Sequence, residues 1–264
     1  ILLDAIFANS EGTVKAYFYK CRQFLSWLES QGIPLMLPIS KEVLVIYLSH
    51  TKSHSDSDSV LISTAALLRW LHSLVNIKSN PLDSPIIQHV IVSGRRELHH
   101  PPVQKQPISL SQVKAIIDLF AGPEASLLEL RSACYVSLKY ALLFRHNEMA
   151  GVKANHLSEP ANKKGISIFI PKSKTDVFRD GSTAFLCDRL DNYSPVAILR
   201  RFLEAAGINL GQDKYLYKIG ADRPLSYTRC RELFFEALRR IGVSDPNVYG
   251  TSSQSKIRRG FPPS

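Results

Sequence analysis

The segment LKYALLFRHNEMAGV, residues 138–152, sets Arg145 and Glu148 three apart at the end of a long apolar run. By itself that spacing reads as a surface arginine with an i,i+3 carboxylate partner, worth about 0.3 kcal/mol. A second concentration of donors follows in KSKTDVFRDG, where Lys172, Lys174 and Arg179 gather with the hydroxyls of Ser173 and Thr175. Cations and hydroxyls in one loop bind anions, although a charged hairpin tip is by itself simply solvated. Arg229 and Arg231 stand in PLSYTRCRELF, and Arg258 lies in the closing SSQSKIRRGF. Alone, the former segment is an ordinary amphipathic helix.

The charge balance gives these cations a common direction. The chain has 264 residues with 33 Lys and Arg against 23 Asp and Glu, a net charge of +10. The excess is uneven: residues 1–98 carry 9 basic and 8 acidic side chains, whereas those beyond carry 24 and 15. A polyanionic partner is the expectation. Apolar residues at 45% and charged residues at 21% match a globular chain, long enough for one or two domains with real cores. No run of about 18 apolar residues suggests a membrane span. Cys21, Cys134, Cys187 and Cys230 lie far apart, so neither a zinc site nor a disulfide framework is indicated.

The elements that must position the cations are mostly helices. Val14, Tyr17, Phe18, Cys21, Phe24, Leu25 and Leu28 recur at helical spacing until Gly32 and Pro34. Ser40 caps a second helix that ends in a polar loop at 53–59, and a third runs over 60–75. A fourth runs from Ser84 or Pro85 to Leu98. HHPPVQKQP, 99–107, cannot continue a helix, since three prolines fix φ and remove donors. It marks the domain boundary.

Beyond it, Ser109 caps an amphipathic helix and a long apolar helix spans 125–143. GISIFIP and STAFLC then form a β-hairpin around the basic loop, with Gly181 at a turn position. Helices return at 195–206 and 226–241. The reading is mainly α with a small antiparallel β-sheet: an all-α domain over 1–98, a linker over 99–108, and a mixed α+β domain over 109–264.

In this order, the segments resemble the tyrosine recombinase, or phage integrase, superfamily over most of the chain. TVKAYFYKCRQFLSWL, 13–28, resembles the first helix of that family's α-helical, SAM-like core-binding domain. LLFRHNEMAGV resembles its first box, typically G-L-R-x-S-E-L, with Leu143 and Phe144 where Gly-Leu usually stands. IFIPKSKTDVFRDGS resembles the hairpin bearing the catalytic lysine, which Lys174 matches best, with Lys172 the near alternative. PLSYTRCRELF is similar to the helix laid into the DNA groove. The resemblance implies a mobile-element type of protein acting in DNA integration and DNA recombination, and a two-domain, C-shaped clamp around duplex DNA.

The implied chemistry is attack of a tyrosine hydroxyl on a phosphodiester, giving a phosphotyrosine link that retains the bond energy. No metal or other cofactor is implied. Arg145 would hold the non-bridging oxygens and Lys174 would protonate the leaving 5′ oxygen. Lys172, Ser173, Thr175 and Arg179 would contact DNA at phosphates, and Arg229 and Arg231 would face the major groove.

The family's second box is H-x-x-R, followed by the nucleophilic tyrosine. One register places Ser255 at the histidine and Arg258, the third catalytic-type residue, at the arginine; another, anchored on Gly250-Thr251, matches neither. In both, Pro262-Pro263 would break the helix expected there, Tyr249 precedes the box, and the chain ends before a tyrosine. The expectation is a C-terminally truncated or degenerate copy that binds double-stranded DNA without catalysing strand exchange by itself. A homo-oligomer on DNA is the expected assembly. A non-catalytic DNA-binding remnant, or a helical adaptor meeting acidic proteins, are the alternatives. ILLDAIFANSEG lacks a secretory signal, which reads as intracellular and DNA-associated, nuclear in a eukaryote.

Overall fold

Helix starts in this chain are set by short polar side chains that satisfy the first free backbone N–H groups. The computed structural model describes residues 10–75, 77–161, 164–174, 176, 180–220 and 223–250. It divides into two compact units, 1–103 and 104–264.

In the first unit, Ser10 accepts from the Thr13 N–H and opens α1, Glu11–Ser30. Ser40 opens α2, Lys41–Ser53, and Ser57 opens α3, Asp58–Ser73, two residues earlier than periodicity alone predicts. Pro85 at the first turn begins α4, Pro85–Leu98. Their apolar faces enclose Phe24, Trp27, Leu44, Tyr47, Leu48, Leu61, Leu68, Leu82 and Ile87. Tyr47 packs against Phe24 and Trp27 with ring centroids 4.6 and 4.9 Å apart. His72 is fully buried, with Nε2 accepting from the Ile39 N–H and Nδ1 2.7 Å from the Leu68 carbonyl. Both ring nitrogens are thus satisfied by a neutral imidazole. A Cβ on Gly94 would come within 2.4 Å of Leu61, so this glycine lets α4 approach α3.

The second unit begins inside the proline-rich segment. Gln106 bridges Tyr249, donating to the Val248 carbonyl and accepting from the Gly250 N–H. Capping boxes at Ser109 and Ser126 start α5, Leu110–Phe120, and α6, Leu127–Leu142. Residues Ser132 to Lys139 of α6 are buried on every side, which makes it the central helix. The short α7, His146–Ala150, follows. Strands β1, Leu157–Ser158, β2, Gly165–Ile170, and β3, Ser182–Cys187, form an antiparallel sheet in that order.

Ile168 pairs with Leu157 on one side and Ala184 on the other. Ile166, Ile168 and Ile170 face the core while Phe169 is exposed, the alternation expected of a half-buried strand. Helix α8, Pro195–Ala205, the strand pair β4, Lys218–Ile219, with β5, Arg223–Pro224, and α9, Tyr227–Arg240, complete the unit. The chain is mainly helical with a small antiparallel sheet. Strands β1, β4 and β5 escape the sequence reading because two residues are too few to show a period. No helix among the described residues is long and apolar enough to cross a membrane.

Candidate functional site

Helix α6 ends at Leu143, whose φ of 56° reverses the chain in the left-handed region. Two residues later Arg145 forms the N-cap of α7. Glu148, 9% exposed, holds it twice. One carboxylate oxygen accepts from the Arg145 N–H at 2.8 Å and the other from Nη1 at 2.8 Å. The pair is therefore a half-sunken clamp on the arginine, beyond the surface pair that spacing alone suggests. The rest of the guanidinium makes no bond to the protein among the described residues, and the side chain is 32% exposed. A guanidinium fixed along one edge and open along the rest suits an anion with several oxygens.

Tyr135, Lys139, His146 and Tyr227, none of them singled out in the sequence, pack together at this helix start. His146 Nδ1 lies 3.2 Å from the Tyr135 hydroxyl, and its ring meets Tyr227 of α9 edge-on at 5.3 Å. Lys139, 6% exposed, sits 3.5 Å from the same hydroxyl. Burial pushes the Lys139 ammonium down to about 8, and burial with the Lys139 charge lowers His146. Burial also raises Tyr135, with Cys230 adding to it. Only burial distinguishes Lys139, because in the sequence it is one charge in an apolar helix.

The hairpin carries the second group of cations. Lys172 and Lys174 are exposed and Ser173 is half-buried. The turn is shaped by Asp176, whose carboxylate accepts from the N–H groups of Asp180 and Gly181 at 3.1 and 2.9 Å. Gly181 has φ 75°, and a Cβ there would stand 2.5 Å from the Phe169 ring, so glycine is required twice over. Thr175, Arg179 and Arg258 lie outside the described residues.

On α9, Arg229 and Arg231 leave from different faces, as residues two apart must. Arg229 is exposed and pairs with Glu232 at 2.9 Å. Arg231 lies 4.5 Å over the Phe235 ring, with Nη2 3.4 Å from Asn247. The contact of Tyr227 with His146 sets the start of α9 beside the start of α7. Tyr249 accepts from Gln112 at 3.0 Å and is part of the bridge to Gln106.

No family model and no curated protein matches this chain. Solved structures do. The XerH site-specific recombinase bound to palindromic difH substrate, a post-cleavage complex, is 13% identical with a TM-score of 0.58, over 88% of this chain and 64% of XerH. The chain thus spans less than two thirds of that recombinase. The Tn1549 transposon integrase in complex with transposon right end DNA is 12% identical with a TM-score of 0.55, over 87% of this chain and 73% of the integrase. The lambda integrase tetramer bound to a Holliday junction is 14% identical with a TM-score of 0.53, over 90% of this chain and 60% of lambda integrase. A mainly helical chain with this three-stranded sheet, matching these structures along most of its length, has the fold of the tyrosine recombinases and integrases.

Proposed function

We propose that this chain binds duplex DNA and serves site-specific recombination or integration of the phosphotyrosine type. The observation that carries the reading is the double hold of Glu148 on Arg145 at the start of α7, within a fold whose solved examples include recombinases on DNA. Residues 1–98 act as the core-binding domain and 109–264 as the catalytic-type domain. Arg145 binds the non-bridging oxygens of the scissile phosphate, where charge gathers as phosphorus becomes pentacoordinate. Lys174, on an exposed hairpin loop, gives its proton to the leaving 5′ oxygen as a tyrosine hydroxyl oxygen bonds to phosphorus and the P–O5′ bond breaks. Lys172, Ser173, Thr175 and Arg179 hold neighbouring phosphates, Arg229 and Arg231 meet the groove, and Arg258 adds a further cation at the scissile phosphate.

A second reading rests on the closing segment, where one register sets Ser255 and the other Ser252 at the histidine of the family's second box. A serine cannot take the proton-carrying role of an imidazole near neutral pH. On that reading the chain binds DNA without cleaving it.

One experiment separates the two. The chain is mixed at about 50 mM salt with a duplex and with a nicked suicide substrate, then resolved under denaturing conditions. Covalent protein on DNA establishes the strand-exchange reading, and Arg145→Gln then lowers its yield by about 100-fold or more. Salt-sensitive binding without covalent product establishes the non-catalytic one. Absence of duplex binding overturns both.

A further inference from the structure

Helix α2 closes on HTKSH, residues 50–54, which sets His50 and His54 four apart and so on one face of its last turn. The two rings lie with centroids 4.1 Å apart and planes at 37°, and both side chains are exposed. His54 is the C-cap and donates twice to the His50 carbonyl, through its backbone N–H at 3.2 Å and through Nδ1 at 2.9 Å. A carbonyl only accepts, so Nδ1 of His54 carries the proton and the Nε2 lone pair is left for another partner. Among the described residues neither that Nε2 nor the His50 ring makes a hydrogen bond. The His50 ring lies 6.1 Å from that of Trp27 on α1.

Two imidazoles four apart on a helix can chelate a divalent transition metal, since rotation of the rings brings a nitrogen from each to about 2.0–2.1 Å from one ion. The bond from Nδ1 to a backbone carbonyl is the support that fixes tautomer and ring orientation in metal-bound histidines. The position also favours a cation, because the last carbonyls of a 13-residue helix carry partial negative charge at this end. The other basic side chain of that turn, Lys52, is offset by Glu97 at 2.6 Å. Among the described residues no third histidine, cysteine or carboxylate joins the pair, so water takes the remaining positions. We propose that His50 and His54 bind one divalent transition-metal ion, Cu²⁺ most tightly, as a two-imidazole chelate that fastens the last turn of α2. The site belongs to the first unit and stands whether or not the chain binds a duplex.

Titration of the full chain with Cu²⁺, followed by tryptophan emission, tests it. Trp27, 8% exposed, lies near enough to His50 for a bound Cu²⁺ to quench it. Emission is expected to fall saturably with one equivalent of copper. His50→Ala and His54→Ala, both at exposed positions, should each weaken binding by at least about tenfold, and His100→Ala should leave it unchanged. No saturable quenching of the unmodified chain overturns the site. Unchanged affinity in either variant of the pair, or an equal loss for His100→Ala, overturns it as well. Should one variant of the pair lose its helical circular dichroism, the other decides, because the chelate needs both imidazoles.

Discussion

Lys139 shows how one side chain changes meaning once its surroundings are known. It lies 5.4 Å over the Tyr135 ring and 3.5 Å from that hydroxyl, among residues buried on all sides of α6. Its neighbours Cys230 and His146 offer no carboxylate. The folded ammonium titrates at about 8, against about 10.5 in an unfolded chain. Between these values the unfolded state binds more protons, so this group makes stability rise with pH from about 8 to about 10.5. Below about 8 the penalty is fully present, of order 3 kcal/mol. Lys139→Met should therefore raise stability at pH 7 by about 1–3 kcal/mol and gain little at pH 10.5. Urea unfolding of both proteins at the two pH values measures the difference, in which the titrations of Tyr135 and Cys230 largely cancel. An equal gain at both pH values would refute the assignment. By contrast, Arg145 and Glu148 were legible as a pair, because their i,i+3 spacing is local. That Glu148 also caps the backbone needed the chain reversal at Leu143.

That reversal belongs to the scale of elements. Leu143 occupies the left-handed conformation at the end of α6, where Cβ crowds the following carbonyl at a cost of about 1–2 kcal/mol. The resembled box has glycine at this point, and glycine adopts the conformation without that cost. Leu143 is half-buried, so its packing offsets part of the strain. Leu143→Gly should raise stability by about 0.5–1 kcal/mol, seen as a higher denaturant midpoint at unchanged slope. A lower midpoint would mean that the leucine side chain outweighs the backbone. Strand lengths illustrate the same competition of local and distant forces. Six-residue β2 and β3 announce themselves by composition, whereas β4 and β5 are defined only by the pairing of Lys218 with Pro224 and of Ile219 with Arg223.

At the scale of the whole chain, each unit owns a core: Phe24 through Ile87 in one, Ile108 through Leu238 in the other. Two separate cores imply that each unit holds its structure when the connection is cut. Val103 is 81% exposed and residues 99–105 lie in neither helix nor strand. Brief digestion with a low-specificity protease is expected to cut first at 99–105 and to leave two fragments that keep their helical circular dichroism. Early cleavage within α6, or collapse of either fragment, would contradict the division. On the duplex-binding proposal, the basic excess beyond residue 98 predicts the larger share of DNA affinity in the C-terminal fragment, measured by titrating each fragment with a labelled duplex.

From the sequence alone came the helices, the long hairpin and the boundary at the prolines. Those features depend on caps, periodicity and φ restrictions that act within a few residues. The order of weak boxes, read together, also pointed to the fold that the solved structures match. What only the tertiary structure decided is which cations have company. The Tyr135 hydroxyl beside His146, His146 against Tyr227, and Arg131 on the carbonyl of Lys218, 87 residues away, are contacts between elements. Such contacts follow from how buried faces pack, which no local spacing encodes. For the same reason a lysine in an apolar helix looked ordinary until its neighbours were known.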